Sequence, residues 1–151
     1  MQLQGSCHCG AVRFTVDAPS PVPFNLCYCA ICRKTAGGGG YAINLGARFD
    51  TMQIEGREHI RNYRSSADHE RAFCGTCGSA LWVYSTRWPD LIHPHASAID
   101  TALPLPPERT HMMLGSRANW AVPCLRADDK CFDAYPDESL SDWHQRTGMR
   151  R

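Results

Sequence analysis

Within 151 residues, 16 lysines and arginines stand against 15 aspartates and glutamates. That balance gives no electrostatic footprint for nucleic acid or an acidic membrane surface, and no stretch approaches the roughly 18 continuous apolar residues of a membrane span. A hydrophobic fraction of 43% with 4 Trp and 5 Phe excludes disorder as the expected state, so one domain with a real core is expected over residues 1–151.

The opening "MQLQGSCHCG" has neither the basic nor the apolar region of a secretory signal, which points to the cytoplasm. Residues 11–16, "AVRFTV", alternate Val12, Phe14 and Val16 against Arg13 and Thr15, the pattern of a half-buried strand. Residues 41–49, 51–56, 59–65 and 80–85 continue the β-rich reading. "LPLPP" at 103–107 makes a loop that a hydrogen-bonded ladder cannot cross, and "THMML" at 110–114 resumes a short strand. Only "DESLSDWHQRT", 137–147, reads as helix, with Asp137 or Ser139 as cap and Leu140, Trp143 and His144 on one face. The expected architecture is mainly β with metal knuckles and one short C-terminal helix.

Nine cysteines stand at 7, 9, 27, 29, 32, 74, 77, 124 and 131. In a reducing compartment such a count signals metal binding or catalysis rather than a disulfide framework, and an odd number cannot pair fully within one chain. "FCGTCGS" is a C-x-x-C turn followed by Gly78, which is free to take a positive φ and so turn backbone N–H groups toward the sulfurs of Cys74 and Cys77. Cys7 and Cys9 of "SCHCG" are a natural second pair, and four thiolates would close a structural zinc site. The competing readings are a redox pair, which lacks its βαβ context, and plain buried thiols.

"LCYCAICRKTAGGGG", residues 26–40, holds a further three thiols at Cys27, Cys29 and Cys32. Three protein ligands around zinc leave a position for water or substrate, the pattern of a catalytic rather than a structural ion. Arg33 and Lys34 favour anions there, and the glycines 37–40, Gly38 and Gly39 among them, offer amides for a carboxylate; on spacing alone a turn between strands is the simpler reading of that run. A fourth protein ligand from one of the seven histidines, or a redox-active disulfide, are the alternatives for the cluster, while Cys124 and Cys131 read as ordinary thiols.

"GSCHCGAVRF", "CYCAICRKTAGGGG" and "FCGTCGSALW" resemble, in order and spacing, the family of glutathione-dependent formaldehyde-activating enzymes and centromere protein V, from about Gly5 to Trp120. The resemblance implies a β-tent zinc fold, a structural zinc on Cys7, Cys9, Cys74 and Cys77, and a second zinc on Cys27, Cys29 and Cys32 that binds or adjoins the thiol of glutathione. It also implies condensation of glutathione with formaldehyde to S-hydroxymethylglutathione, a carbon–sulfur lyase reaction run in reverse, with small-molecule partners only. Arg33, Lys34, Gly38 and Gly39 then become candidate contacts for glutathione's carboxylates. Family members often carry His where this chain has Tyr28. Two other functions compete: a non-catalytic zinc module that binds a thiol or protein, and a methionine sulfoxide reductase, whose paired C-x-x-C knuckles differ from the C-x-C here.

Overall fold

The computed structural model describes residues 1–149. Twelve strands form three sheets among these residues. The first joins β1 (Gln2–Ser6), β2 (Arg13–Asp17) and β6 (Gln53–Glu55), all antiparallel, in the order β1-β2-β6. The second runs β5-β10-β9-β8-β7, from β5 (Ala47–Arg48), β7 (Ile60–Arg64), β8 (His69–Cys74), β9 (Ala80–Ser85) and β10 (Leu91–Pro94). The third sets β11 (Arg109–Met112) parallel to both β12 (Lys130–Cys131) and β3 (Phe24–Cys27), with β4 (Ala42–Asn44) antiparallel at its edge. No helix of the described residues is long and apolar enough to cross a membrane.

The alternation read from "AVRFTV" is realised: Val12, Phe14 and Val16 are buried while Arg13 is exposed. These side chains meet Ala72, Leu81, Trp82 and Ile92 of the second sheet to make the main core, with the Phe14 ring edge-on to Trp82 at a centroid distance of 5.2 Å. The segment 41–49 is not one strand. It breaks at Leu45–Gly46, so β4 pairs in the third sheet while β5 pairs with β10 in the second. This crossing ties the sheets together, because Leu45 is itself in the core and its amide donates to the Pro94 carbonyl at 2.9 Å.

The C-terminal helix, α2, spans Leu140–Thr147, capped by Ser139, whose Oγ accepts from the Asp142 amide at 3.1 Å. Trp143 is its buried anchor and donates from Nε1 to Glu108 at 2.6 Å. One expectation is overturned: α2 is not the only helix. A first helix, α1, spans Ala30–Ala36 directly after the cysteine run. It went unread because its seven residues show no apolar period and its cap is the sulfur of Cys29, which accepts from the Cys32 amide at 3.3 Å. The mainly β fold with cysteine knuckles and a short C-terminal helix is otherwise as the sequence implies.

Candidate active site

Two turns bring the four sulfurs of Cys7, Cys9, Cys74 and Cys77 within 4.8 Å of one another. Cys7 and Cys9 follow β1, and Cys74 ends β8. Gly78 adopts φ +78°, and its amide donates to the Cys74 carbonyl at 2.8 Å, which closes the knuckle. The amide of Val12 donates to Cys7 Sγ at 3.2 Å. Cys77 is pushed down to about 5, first by the Ser79 hydroxyl and then by backbone N–H groups. Sulfurs bound about 2.3 Å from one tetrahedral ion lie about 3.8 Å apart, and here Cys7–Cys9 is 3.5 Å and Cys9–Cys74 is 3.8 Å. The donor set fits zinc.

The second cluster sits where β3 passes into α1. The sulfurs of Cys27, Cys29 and Cys32 lie within 4.8 Å of one another, with Cys27 and Cys32 buried and Cys29 half-buried. Among the described residues no histidine, carboxylate or further cysteine joins them. Thiol contacts from Cys27 and then Cys32 hold Cys29 far below the ordinary thiol range, while the same contacts raise Cys27. Three gathered sulfurs are a donor set that fits a soft divalent ion such as zinc.

The groups around this cluster went unrecognised in the sequence. Cys32 Sγ accepts from Asn44 Nδ2 at 3.6 Å and from Arg71 Nη2 at 3.5 Å. The Asn44 Oδ1 in turn takes a hydrogen bond from His95 Nδ1 at 2.9 Å. His93 donates from Nδ1 to the Leu45 carbonyl at 3.0 Å, and Trp88 lies edge-on to both His69 and His93. The ladder pairs Arg71 with Val83, Val83 with His93 and His69 with Ser85, so these side chains share the face of the second sheet opposite Trp82 and Ile92. A period-two pattern of polar residues in "HERAFC" and "LIHPH" was the available signal.

The expected carboxylate contacts fall at the other end of α1. Seven helical residues at 1.5 Å each put the glycine turn roughly 10 Å from the Cys29 end. Gly40 takes φ +97° against the Trp120 and Ala121 side chains, and the amides of Gly37 and Gly40 serve the turn itself. Gly38 and Gly39 are exposed, and a Cβ on either would meet nothing within 4 Å. Lys34 is exposed; Arg33 is half-buried, with its Nε buried and unpartnered.

Tyr28 turns away from the sulfurs into a separate cluster with Leu26 and Ala121. Its hydroxyl donates to His111 Nδ1 at 2.9 Å, and His111 Nε2 donates to Asp129 at 3.1 Å. Burial works to raise the Asp129 carboxyl, but the Arg109 side chain and the Arg126 and Arg109 amides outweigh it and hold it far below the usual range. Burial also lifts Tyr28 to about 12. Tyr28→Phe strands the buried His111 Nδ1, so it should cost about 1–3 kcal/mol of stability while leaving any reaction at the cysteines intact. Denaturant melts and thiol–aldehyde rates on the same variant check this; an undiminished melt with a lost rate contradicts it.

Acid sensitivity follows from the same burial. His93, His95 and His111 are all held below the ordinary imidazole value chiefly by desolvation, His95 at about 4. Their folded values lie under the unfolded value near 6.5, so below that pH the unfolded chain binds more protons. Stability is fully present above about pH 6.5 and falls as the pH drops toward 4; His95 alone accounts for on the order of 3 kcal/mol. A urea midpoint at pH 5 equal to that at pH 7.5 refutes the expectation.

With both clusters placed, the comparisons with known proteins are specific. Residues 2–115 match the sequence pattern of the family described as glutathione-dependent formaldehyde-activating enzyme. The chain belongs to that family. A Halomonas elongata protein that bears the name glutathione-dependent formaldehyde-activating enzyme, as a provisional one, is 56% identical over 99% of this chain and 98% of its own length. An uncharacterised lyase of Schizosaccharomyces pombe is 26% identical over 56% of this chain and 59% of its own. A crystal structure of a Rhodobacter sphaeroides protein superposes with a TM-score of 0.57 at 25% identity, covering 70% of this chain and 98% of that one. The family match ends at Gly115, so β12 and α2 lie beyond it.

Proposed function

We propose that the protein is a zinc-dependent enzyme of the carbon–sulfur lyase type that condenses glutathione with formaldehyde, or a related small aldehyde, to an S-hydroxyalkyl thiol. The observation that carries this reading is the contrast between the clusters. Four sulfurs make a complete tetrahedral set at one, while at the other three sulfurs gather with no fourth protein donor among the described residues. The first set serves the fold; the second serves chemistry.

When bound at Cys27, Cys29 and Cys32, zinc supplies a position that acidifies an incoming thiol. The chain's own residues do the rest. The half-buried Cys29 gives the cluster access to solvent, and the donors on Asn44 and Arg71 hold Cys32 Sγ in one orientation. Arg33, Lys34 and the free amides of Gly38 and Gly39 are the proposed partners for glutathione's carboxylates. In the condensation the thiol gives up its proton, a sulfur–carbon bond forms, the carbonyl π pair moves to oxygen, and that oxygen takes up a proton. The buried surroundings strengthen every electrostatic contact along this path.

The test is the exchange rate between glutathione, formaldehyde and S-hydroxymethylglutathione, followed by NMR with and without protein, alongside zinc content. About two zinc per chain and a rate clearly above the spontaneous one support the proposal. Glutathione binding with no acceleration points instead to a binding module.

A further inference from the structure

Resting on that reading, we infer that Arg71 receives the aldehyde oxygen, its unpaired Nη1 donating to the negative charge that develops there. Arg71 lies at the middle of β8 and is only 7% exposed. Two of its three nitrogens are engaged: Nε donates to Ser65 Oγ at 2.9 Å and Nη2 to Cys32 Sγ at 3.5 Å. Nη1 is buried and has no partner. A guanidinium buried with idle N–H groups is expensive, because each unmet donor forfeits the water it had in the unfolded chain. No carboxylate pairs with it among the described residues either.

The same guanidinium thus touches the thiol cluster with one nitrogen and offers another to whatever comes beside it. A substrate sulfur placed at the three cysteines brings its aldehyde carbon one bond further on, and the oxygen one bond beyond that. A planar fork spanning sulfur and oxygen fits this demand better than a point charge. The other groups on this face are poor substitutes. His69, His93 and His95 are held toward their neutral forms by burial and by the Arg71 charge beside His69 and His95. The Nδ1 atoms of His93 and His95 already serve Leu45 and Asn44. Among the described residues Arg71 is the one buried permanent cation. The balance of the step is unchanged: sulfur–carbon bond made, carbonyl π pair to oxygen, the thiol's proton to that oxygen.

Arg71→Gln and Arg71→Lys in the full zinc-loaded chain test the inference. Removing one donor of this kind lowers kcat by about 10²–10³-fold. The expected result for Gln is a loss of that size in the glutathione–formaldehyde exchange rate, with zinc content unchanged and glutathione affinity by calorimetry within about twofold. Lys, which keeps a cation without the fork, should recover only part of the rate. Should Gln fail to fold, the same readouts on Lys decide. An unchanged rate with active wild type overturns the role of Arg71 alone. A rate lost in parallel with zinc or glutathione binding also overturns it, leaving Arg71 as a partner of Cys32 only. A wild type no faster than the spontaneous reaction overturns the proposed function and this inference together.

Discussion

Cys74→Ala will leave a chain that does not hold its native fold at ambient temperature. Cys74 is fully buried, ends β8 and belongs to the main core as well as to the four-sulfur cluster. The magnitudes separate two possibilities. If the four cysteines are plain thiols, the substitution removes one sulfur from the core and costs about 1–2 kcal/mol, an ordinary destabilisation. If they hold zinc, the ion contributes on the order of 10 kcal/mol to folding, as much as the whole net stability of a typical domain. Thermal melts of the variant and of wild type with a strong chelator should then agree in showing collapse. A variant that melts only a few degrees low, beside a chelator-insensitive wild type, rules the metal out.

Cys29→Ser is expected to do the opposite, keeping the fold and losing the reaction. Cys29 is half-buried, caps a helix of one turn or two, and lies outside the main core. A serine oxygen is itself a good helix cap, so the amide of Cys32 keeps a partner and stability should change by less than about 1 kcal/mol. One of the three sulfurs is gone, however, and with two left the second ion is held weakly. The expected readings are a fall from about two zinc to one per chain, a native circular dichroism spectrum, and a rate at the spontaneous level. Full rate in the variant contradicts the assignment of the cluster to chemistry.

The cysteine spacing carried most of what the sequence could say. Pairs at short separation have few ways to be arranged, so the grouping of Cys7 and Cys9 with Cys74 and Cys77 was legible before any fold was known. The surroundings of the second cluster were not. Asn44, Arg71 and His95 come from β4, β8 and the turn after β10, and they meet only because the second and third sheets converge there. β8 escaped notice for the same reason: its His69 and Arg71 face a buried polar site, so its apolar side alone looks irregular. β1, β3 and β10 are short strands whose alternation spans only 4 or 5 residues, too few to stand out from loop. Tyr28, flanked in sequence by two of the cysteines, is fastened to His111 and Asp129 in a cluster apart from their sulfurs, a placement that spacing alone did not indicate.

β8 also sets a constraint on how this chain can change length. Arg71 reaches one cluster and Cys74 belongs to the other, and between them, at Ala72 and Phe73, the ladder with β9 shifts register. The unpaired residue of that irregularity, Leu81, lies in β9, so β8 itself keeps strict alternation, with Arg71 toward the thiols of Cys27, Cys29 and Cys32 and Ala72 toward Trp82. Deleting one residue between Arg71 and Cys74 would turn a guanidinium into the apolar core and swing an alanine toward the thiols. Gene variants that add or remove a single codon here should therefore be purged.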